Sequence, residues 1–276
     1  MADIQIVVAA ANFAHTFPMQ MMTYIQGGLK PGQNIIQCST AGMADSERDR
    51  LEKILDKSAP AALIGICVKP DAGTIEKYVK SGAPVVLIDE EIAGASTVTT
   101  DSYAGGYMAG DYLAKLGRKK IAAVCGRMHV EGGYNAMMRV SGMVRALAEN
   151  GLTLPEGGLI EVVSYSYNDG VEAMGRFLDE KRGIDAVFCA AGDMCALGML
   201  KTARERGVKV PEEIAIIGYD DLDAARTSRP ALTTIKQPLE KMALAALSMA
   251  TVEKTELLMK PKKNVFNPEL IKRASA

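Results

Sequence analysis

Short apolar runs alternate with longer amphipathic segments along most of the chain. The runs are rich in Val and Ile and do not alternate with polar residues, which is typical of strands covered by helices on both faces. They predict strands at Ile4–Ala11, Asn34–Cys38, Ala61–Val68, Pro84–Asp89, Lys120–Gly126, Ile160–Tyr165, Asp185–Ala191 and Glu213–Tyr219.

The segments between these runs have helical spacing. They predict helices at Ser46–Ser58, Ala72–Ser81, Tyr103–Leu116, Tyr134–Asn150, Asp169–Lys181 and Asp193–Arg206. Several of them end at a glycine in the C-terminal cap position, namely Gly82, Gly117, Gly151 and Gly207. This β–α repetition indicates an α/β protein with doubly wound parallel sheets.

Eight strands are enough for one sheet or for two. One set of β–α units ends and another begins at Lys115–Lys119, so we place a seam between two lobes there. The pattern changes after Pro230, where Leu232–Ile235 is extended and Leu239–Leu247 is helical. A tail that returns to the first lobe agrees with this change, although the spacing alone does not require it.

The charge balance and the cysteines narrow the function class. Among 276 residues, 32 Lys and Arg face 33 Asp and Glu, which argues against a nucleic-acid-binding face on this chain. The N-terminus has neither a basic segment nor a membrane-length apolar run, so we expect a cytoplasmic protein without a signal peptide or membrane contact. The five scattered cysteines and two histidines indicate buried reduced thiols, and we expect no metal and no cofactor.

Sequence motifs for nucleotide chemistry and nucleophilic catalysis are absent. The chain contains no GxxxxGK[ST], GxGxxG or GxSxG pattern, and the glycines of Ala104–Gly110 lie within a predicted helix. His15 follows the first predicted strand, where a surface position is favoured over a place at a pocket rim.

Charged and aromatic residues follow the carboxyl ends of the predicted strands, where parallel sheets bind ligands. They are Phe17, Asp101, Arg139, Tyr165, Asp193 and Asp220. Carboxylate acceptors, a forked donor and flat apolar faces are the mixture that sugars and nucleobases need.

Three carboxylates, Asp220, Asp221 and Asp223, fall within four positions after an apolar run. They are compatible with a metal or catalytic cluster, with the lip of a ligand pocket, or with a solvated loop. Adjacent aspartates point in different directions unless the turn bends sharply, so one ligand acceptor with a capping neighbour is easier to build than a catalytic pair. We favour the ligand pocket.

Four ordered blocks of the sequence resemble the LacI/GalR family of bacterial transcription regulators. They are Thr100–Gly126, Met137–Leu152, Ala186–Pro238 and Pro268–Ala276. The resemblance implies a periplasmic-binding-protein-like type I fold, with two similar doubly wound parallel-sheet lobes joined by three crossovers. On this basis we expect residues 1–115 with 238–262 in the N-terminal lobe, and residues 116–237 with 263–276 in the C-terminal lobe.

The resemblance also implies a function without catalysis. It points to an effector-binding domain of a homodimeric regulator, which binds a small polar ligand such as a sugar between its lobes and thereby changes the geometry of the dimer. Arg139 would be the forked donor, Asp220 the bidentate acceptor and Tyr165 the aromatic platform. The implied ligand contacts are Phe17, Pro18, Gln20, Asp101, Arg139, Tyr165, Asp193, Asp220 and Gln237.

The sequence departs from the family pattern at two places. Gly192 stands where the family usually has Asn, which puts the ligand class in doubt. The family's DNA-binding helix-turn-helix, which normally precedes the strand at Ile4, is not in this sequence; we expect that it was trimmed away, the alternative being a natural sensor without it. DNA would then be reached only through that missing headpiece. A periplasmic receptor of a transporter and a metal-dependent enzyme using Asp220, Asp221 and Asp193 are the rival hypotheses.

Overall fold

The computed structural model describes residues 4–40, 44–129, 133–180, 183–251 and 260–276, and for residues 44–47 it describes the backbone alone. In the described ranges the strands are β1 Ile4–Ala10, β2 Gln33–Ser39, β3 Ala62–Ile66, β4 Val85–Ile88, β5 Ser96–Thr100, β6 Ile121–Gly126, β7 Leu159–Val162, β8 Ala186–Cys189, β9 Ala215–Asp220, β10 Thr233–Lys236, β11 Lys263–Phe266 and β12 Glu269–Ile271. The helices there are α1 Thr16–Gly27, α2 Ala44–Ser58, α3 Ala72–Lys80, α4 Ser102–Lys115, α5 Tyr134–Glu149, α6 Tyr167–Asp179, α7 Asp193–Glu205, α8 Asp223–Thr227 and α9 Leu239–Thr251.

The eight predicted strands are confirmed, each with ends within three residues of the expected ones. The four glycines predicted to end helices adopt positive φ, between 71° and 83°, immediately after α3, α4, α5 and α7. This left-handed backbone is the conformation that makes glycine favourable at a helix C-terminus. The strands β5 and β11 were not predicted.

The chain forms two compact units that are joined by three crossovers. Unit 1 contains Met1–Thr100 and Pro238–Phe266, and unit 2 contains Asp101–Gln237 and Asn267–Ala276. The crossover after Gln237 coincides with the expected one. The other two lie after residues 100 and 266 rather than after residues 115 and 262, so α4 is part of unit 2 and β11 is part of unit 1.

Unit 1 is built on a parallel sheet with the strand order β11-β5-β4-β3-β1-β2. Alternate residues of one strand enter different cores, which explains why the apolar runs do not alternate with polar residues. Ile6 and Val8 of β1 pack with α1 and α9, whereas Val7 and Ala9 pack with α2 and α3. Met21 and Met22 of α1 are core residues.

Unit 2 repeats this architecture with the strand order β12-β10-β9-β8-β6-β7. All neighbouring strands are parallel except β12, which runs antiparallel to β10. Helices α4 and α5 cover one face of the sheet, and α6 and α7 cover the other. The carboxyl ends of β6, β8 and β9 therefore meet at one edge of the sheet, which is the edge that carries the candidate site.

Glycines explain why α4 belongs to unit 2 and not to the lobe that precedes it. A Cβ atom at Gly106 of α4 would overlap the carbonyl oxygen of Arg139 in α5. In the opposite direction, a Cβ atom at Gly142 of α5 would overlap the carbonyl oxygen of Tyr103 in α4. The two backbones touch directly, so the crossover must come before α4.

The five cysteines all lie in the described ranges and form no disulfide with one another. Four of the five cysteines are buried, as expected, but Cys67 is exposed, because it follows β3 in a left-handed conformation with φ 49°. Burial raises the pKa of the Cys125 thiol to about 12. Within the described ranges, no helix combines the length and the apolar character that a membrane crossing requires.

Candidate ligand-binding site of unit 2

The turn that follows β9 has an unusual backbone. Asp220 ends the strand with φ 111°, and Asp221 follows with φ 61°. Residues with a Cβ atom rarely adopt positive φ, and such conformations persist only when surrounding contacts hold them, often at functional sites. The acidic segment found in the sequence is therefore a restrained turn, and its three carboxylates have different partners.

Asp193 of α7 restrains this turn through a hydrogen bond to its backbone. The side chain is fully buried at the first residue of α7. One carboxylate oxygen accepts the backbone N–H of Leu222 at 2.8 Å, and the other accepts the hydroxyl of Thr234 at 2.6 Å. Asp193 thus connects the start of α7 with the β9 turn and with β10.

Burial raises the pKa of Asp193 well above its ordinary value, and the nearby Asp220 carboxylate raises it further. The hydrogen bonds from Thr234 and Leu222 act in the opposite direction. Gly192, directly before Asp193, also borders Asp220, because a Cβ atom at this glycine would lie 3.0 Å from Asp220 Oδ2. The side chain that the family usually has at this position would occupy that space.

The other two carboxylates of the turn bind arginines. Asp221 pairs with Arg273 from the C-terminal segment, and each side chain is only 16% exposed. Asp223 at the start of α8 is 90% exposed and pairs with Arg226 at 3.0 Å. In the described part of the chain, no group of three or more His, Cys, Asp or Glu side chains is arranged to hold a metal ion.

Gln237 joins the site because β10 runs beside β9, with Lys236 in register with Asp220. Its side-chain amide donates to Asp220 Oδ1 at 2.7 Å. The residue is 2% exposed, and its Oε1 accepts no hydrogen bond from any described residue. A buried acceptor without a hydrogen bond lowers the stability of the folded protein. A ligand that donates a hydrogen bond to this oxygen would therefore be stabilising.

Arg139 of α5 contacts the chain near the carboxyl ends of β8 and β9. Its Nη1 donates to the carbonyl oxygen of Ala190 at 2.9 Å. Its guanidinium carbon lies 3.7 Å from the centre of the Tyr219 ring, which is a cation–π contact. Tyr219 is fully buried and directly precedes Asp220 in the chain, so Arg139 contacts the residue next to the predicted acceptor.

Tyr165 lies over the end of β6. A Cβ atom at Gly126 would overlap the Tyr165 hydroxyl, so the ring crosses the strand at the one position without a side chain. Tyr165 has φ 54° and is 44% exposed. A flat ring with this exposure offers a stacking surface for an apolar ligand face.

Asp101 has a local partner. It is the N-cap of α4, and its carboxylate accepts the backbone N–H of Ala104 at 2.9 Å. Unit 2 therefore places the Asp193 carboxyl near Asp220, which accepts a hydrogen bond from Gln237. Arg139 contacts the ring of Tyr219, the residue before Asp220.

The remaining predicted contacts belong to unit 1. Phe17, Pro18 and Gln20 are half-buried in the first turns of α1, and Phe17 packs against the core of that unit. His15 is the exposed N-cap residue of α1, without a capping hydrogen bond from its side chain.

Three residues that hold the site were not singled out from the sequence. They are Tyr219, Thr234 and Arg273. All three lie within the blocks that carry the family resemblance, but their partners are distant in sequence: Arg273 is 52 residues from Asp221. The apolar, hydroxyl and basic character of these residues did not indicate a site by itself.

Comparison with known proteins gives consistent results. Residues 111–276 match the family of periplasmic binding protein-like domains. The HTH-type transcriptional repressor PurR of Yersinia enterocolitica serotype O:8 is 30% identical over 249 residues, which is 88% of this chain and 71% of that protein. The corresponding PurR of Yersinia pestis strain Pestoides F has the same identity and coverage.

Solved structures of transcriptional regulators share the whole fold. A LacI-family regulator from Sanguibacter keddieii DSM 10542 has 25% identity and a TM-score of 0.84, covering 99% of this chain and 98% of its own. The regulator CelR in complex with cellobiose has 26% identity and a TM-score of 0.86, covering all of this chain and 85% of its own. These similar proteins are transcriptional regulators rather than enzymes.

Proposed function

Because the chain belongs to the LacI family of transcriptional regulators and has the periplasmic-binding-protein-like fold, we propose that its effector is a sugar or a sugar derivative. The observation that carries the proposal is the group formed by Asp220, Gln237 and Arg139. A carboxylate and an amide oxygen accept hydroxyl hydrogens, and a guanidinium donates to hydroxyl or ring oxygens. The cellobiose complex of the similar regulator CelR supports this ligand class.

Each side chain has a specific task in this proposal. Asp220, held by the Gln237 amide, accepts hydrogen bonds from ligand hydroxyls, and Gln237 Oε1 accepts a further one. Arg139, held over Tyr219, donates to the polar edge of the ligand. Tyr165 stacks against the apolar face of the sugar ring, and Phe17, Pro18 and Gln20 contribute contacts from unit 1.

Regulation would follow from binding between the units. A ligand that contacts both units better in one hinge arrangement shifts the population toward that arrangement. In a homodimer, the shift changes the geometry of the DNA-binding headpieces, which are outside this sequence, and the protein acts in the cytoplasm without performing chemistry on its ligand. A periplasmic receptor is disfavoured because the relatives are HTH-type repressors.

A thermal-shift screen tests the ligand class. The panel contains D-glucose, D-galactose, D-ribose, cellobiose, sugar phosphates, polyols, nucleosides and purines. We expect a neutral sugar or polyol to raise the melting temperature of the wild type, because a ligand that binds only the folded state stabilises it. Stabilisation by a purine alone would contradict the sugar proposal.

Two site variants and one surface variant test the pocket itself. Asp220→Ala and Arg139→Ala should abolish the ligand-induced shift, whereas Arg226→Ala, which removes an exposed ion pair of the neighbouring helix, should retain it. An unchanged shift in both site variants would show that the pocket is misassigned. Light scattering of the same samples measures the proposed dimer.

A further inference from the structure

The β9 turn carries two consecutive left-handed residues that both have side chains, Asp220 and Asp221. Neither residue is glycine, so the preferred backbone of this segment is different from the observed one. Asp220 is the acceptor in the proposed function, and the direction of its carboxylate depends on this backbone. Contacts from outside the turn must therefore hold it.

Arg273 supplies such a contact from the C-terminal segment. Its Nη2 pairs with the Asp221 carboxylate, and its Nη1 donates to the carbonyl oxygen of Leu232 at 2.8 Å. The fork of one planar guanidinium thus joins the turn to the residue before β10. With 16% of each side chain exposed, water competes weakly for this pair.

The backbone on both sides of Arg273 is itself fixed. The Arg273 N–H donates to Thr233 Oγ1 at 2.9 Å. Two residues later, Ser275 Oγ accepts the N–H of Thr233 at 2.8 Å and donates to the carbonyl oxygen of Ile216 at 2.6 Å. The backbone that carries the Arg273 guanidinium is therefore fixed by hydrogen bonds, and this restrains the position of Asp221, with which the guanidinium pairs.

We propose that Arg273 is a positioning residue of the ligand site, which acts through Asp221 to hold the Asp220 carboxylate toward the ligand. This inference rests on the proposed function, since it gives Asp220 its role as acceptor. The second Asp of the turn and the C-terminal segment then contribute to affinity without touching the ligand. A nearby pair serves as the control: Asp223 and Arg226 are 90% and 69% exposed and bridge one turn of α8.

Hydrogen exchange of the full chain tests the positioning step without any ligand. The reporter is the Leu222 amide, which donates to Asp193. We expect Arg273→Gln and Asp221→Asn each to speed exchange in residues 219–222 by about tenfold, with β6 unchanged, because the turn loses one restraint and the sheet does not. Arg226→Gln should exchange like the wild type, and Arg273→Lys should restore part of the protection.

Two results would overturn the proposal at this stage. One is unchanged exchange of residues 219–222 in every variant of the pair, Arg273→Gln or Asp221→Asn, that folds. The other is an equal acceleration in β6 and in the turn, which would give Arg273 only a general structural role. Having a substitution on either side of the pair keeps the test valid if one variant does not fold.

Calorimetry then connects the turn with binding, using whichever sugar of the panel stabilises the wild type, with cellobiose and D-ribose tried first. We expect Arg273→Gln to raise the Kd of this sugar about tenfold, because the turn that carries the acceptor Asp220 loses one restraint. The same substitution should have no further effect in an Asp220→Asn background, because Arg273 acts through Asp220. The same rise in Kd in both backgrounds would overturn the inference. If no sugar binds the wild type, the proposed function fails, whereas the exchange result still decides the role of Arg273.

Discussion

Asp193 and Asp220 are neighbouring carboxylates in different environments. Asp193 is fully buried and accepts two hydrogen bonds from the protein, whereas Asp220 is half-buried beside Gln237. The folded state raises the pKa of Asp193, so it binds a proton more tightly than the unfolded chain does. Above the ordinary pKa of 3.8, this carboxyl therefore makes the free energy of unfolding fall as the pH rises, until the raised folded-state pKa is passed.

The first prediction follows from this direction of the pH dependence of the unfolding free energy. Asp193→Asn removes the titration, so the fall in unfolding free energy with rising pH above about pH 4 should be shallower than in the wild type. Urea unfolding between pH 4 and pH 8 measures it. Asp223→Asn, at an exposed carboxylate, should keep the wild-type slope. Equal slopes in Asp193→Asn and the wild type would contradict the buried, raised pKa.

Gly192 leads to a second prediction for a single residue. Its φ of 110° and ψ of 165° lie in a region that only glycine adopts readily, and a Cβ atom there would crowd Asp220. Gly192→Ala should therefore lower the free energy of unfolding by about 3 kcal/mol. Gly207→Ala, at φ 72° with nothing within 4 Å, should cost only about 1 kcal/mol. Urea midpoints compare them, and equal costs would contradict the extra backbone strain and the crowding assigned to Gly192.

At the level of elements, glycines determine how the helix pairs of unit 2 pack. A Cβ atom at Gly170 of α6 would overlap the carbonyl oxygen of Cys195 in α7. In the opposite direction, a Cβ atom at Gly198 of α7 would overlap the carbonyl oxygen of Tyr167 in α6. The pair α4 and α5 uses Gly106 and Gly142 in the same way. Close backbone contact in α4 and α5 is what brings Arg139 to Tyr219, so the geometry of the site depends on these crossings.

Two glycines of α6 give a matched test. A methyl group at Gly170 would overlap the backbone of α7, whereas one at Gly175 would meet nothing within 4 Å. Gly170→Ala should lower the free energy of unfolding by about 3 kcal/mol through overpacking, and Gly175→Ala should raise it by roughly 0.5 kcal/mol through helix propensity. Denaturant unfolding checks both signs. A neutral Gly170→Ala would mean that α6 and α7 do not touch through their backbones.

The elements also show where sequence reasoning succeeds and where it stops. The apolar strands in the middle of each sheet were predictable because both of their faces are buried. The strand β5 reads STVTT and β11 reads KNVF, and neither has the apolar content that identifies a covered strand. The glycines of Ala104–Gly110 were recognised as helical, but their packing role depends on a partner helix that a local pattern cannot reveal.

The same distinction applies to the candidate site. Asp220 and Gln237 could be selected as candidates from the sequence, because they lie at the end of β9 and just after β10, within a distinctive block. The pairing of Asp221 with Arg273 was not, since it depends on an antiparallel return of the chain after a passage through unit 1. The candidate residues are therefore partly visible in the sequence, whereas the contacts that orient them arise from the topology.

For the molecule as a whole, unit 2 is completed by a segment that is distant in sequence. The chain leaves unit 2 after Gln237 and returns at Asn267, where β12 pairs with β10 and places Glu269 opposite Lys236. Residues 273–276 then bond to the sheet through Ser275. A fragment that ends at Gln237 thus lacks an edge strand and the restraint on Asp221.

The last prediction follows from this antiparallel pairing. A fragment of residues 101–237 should be unstable, whereas residues 101–237 joined to residues 267–276 by a two-residue turn such as Asn-Gly should fold as one unit. The two added residues suffice because Lys236 and Glu269 are already paired, and with Gln237, Asn267 and Pro268 they form a loop of about five residues, a length found in β-hairpins. Circular dichroism and cooperative urea unfolding compare the two fragments. Ser275→Ala in the joined fragment should lower its unfolding free energy by about 2 kcal/mol, since two buried hydrogen bonds are lost. Equal stability of both fragments would show that the C-terminal segment is not needed to complete unit 2.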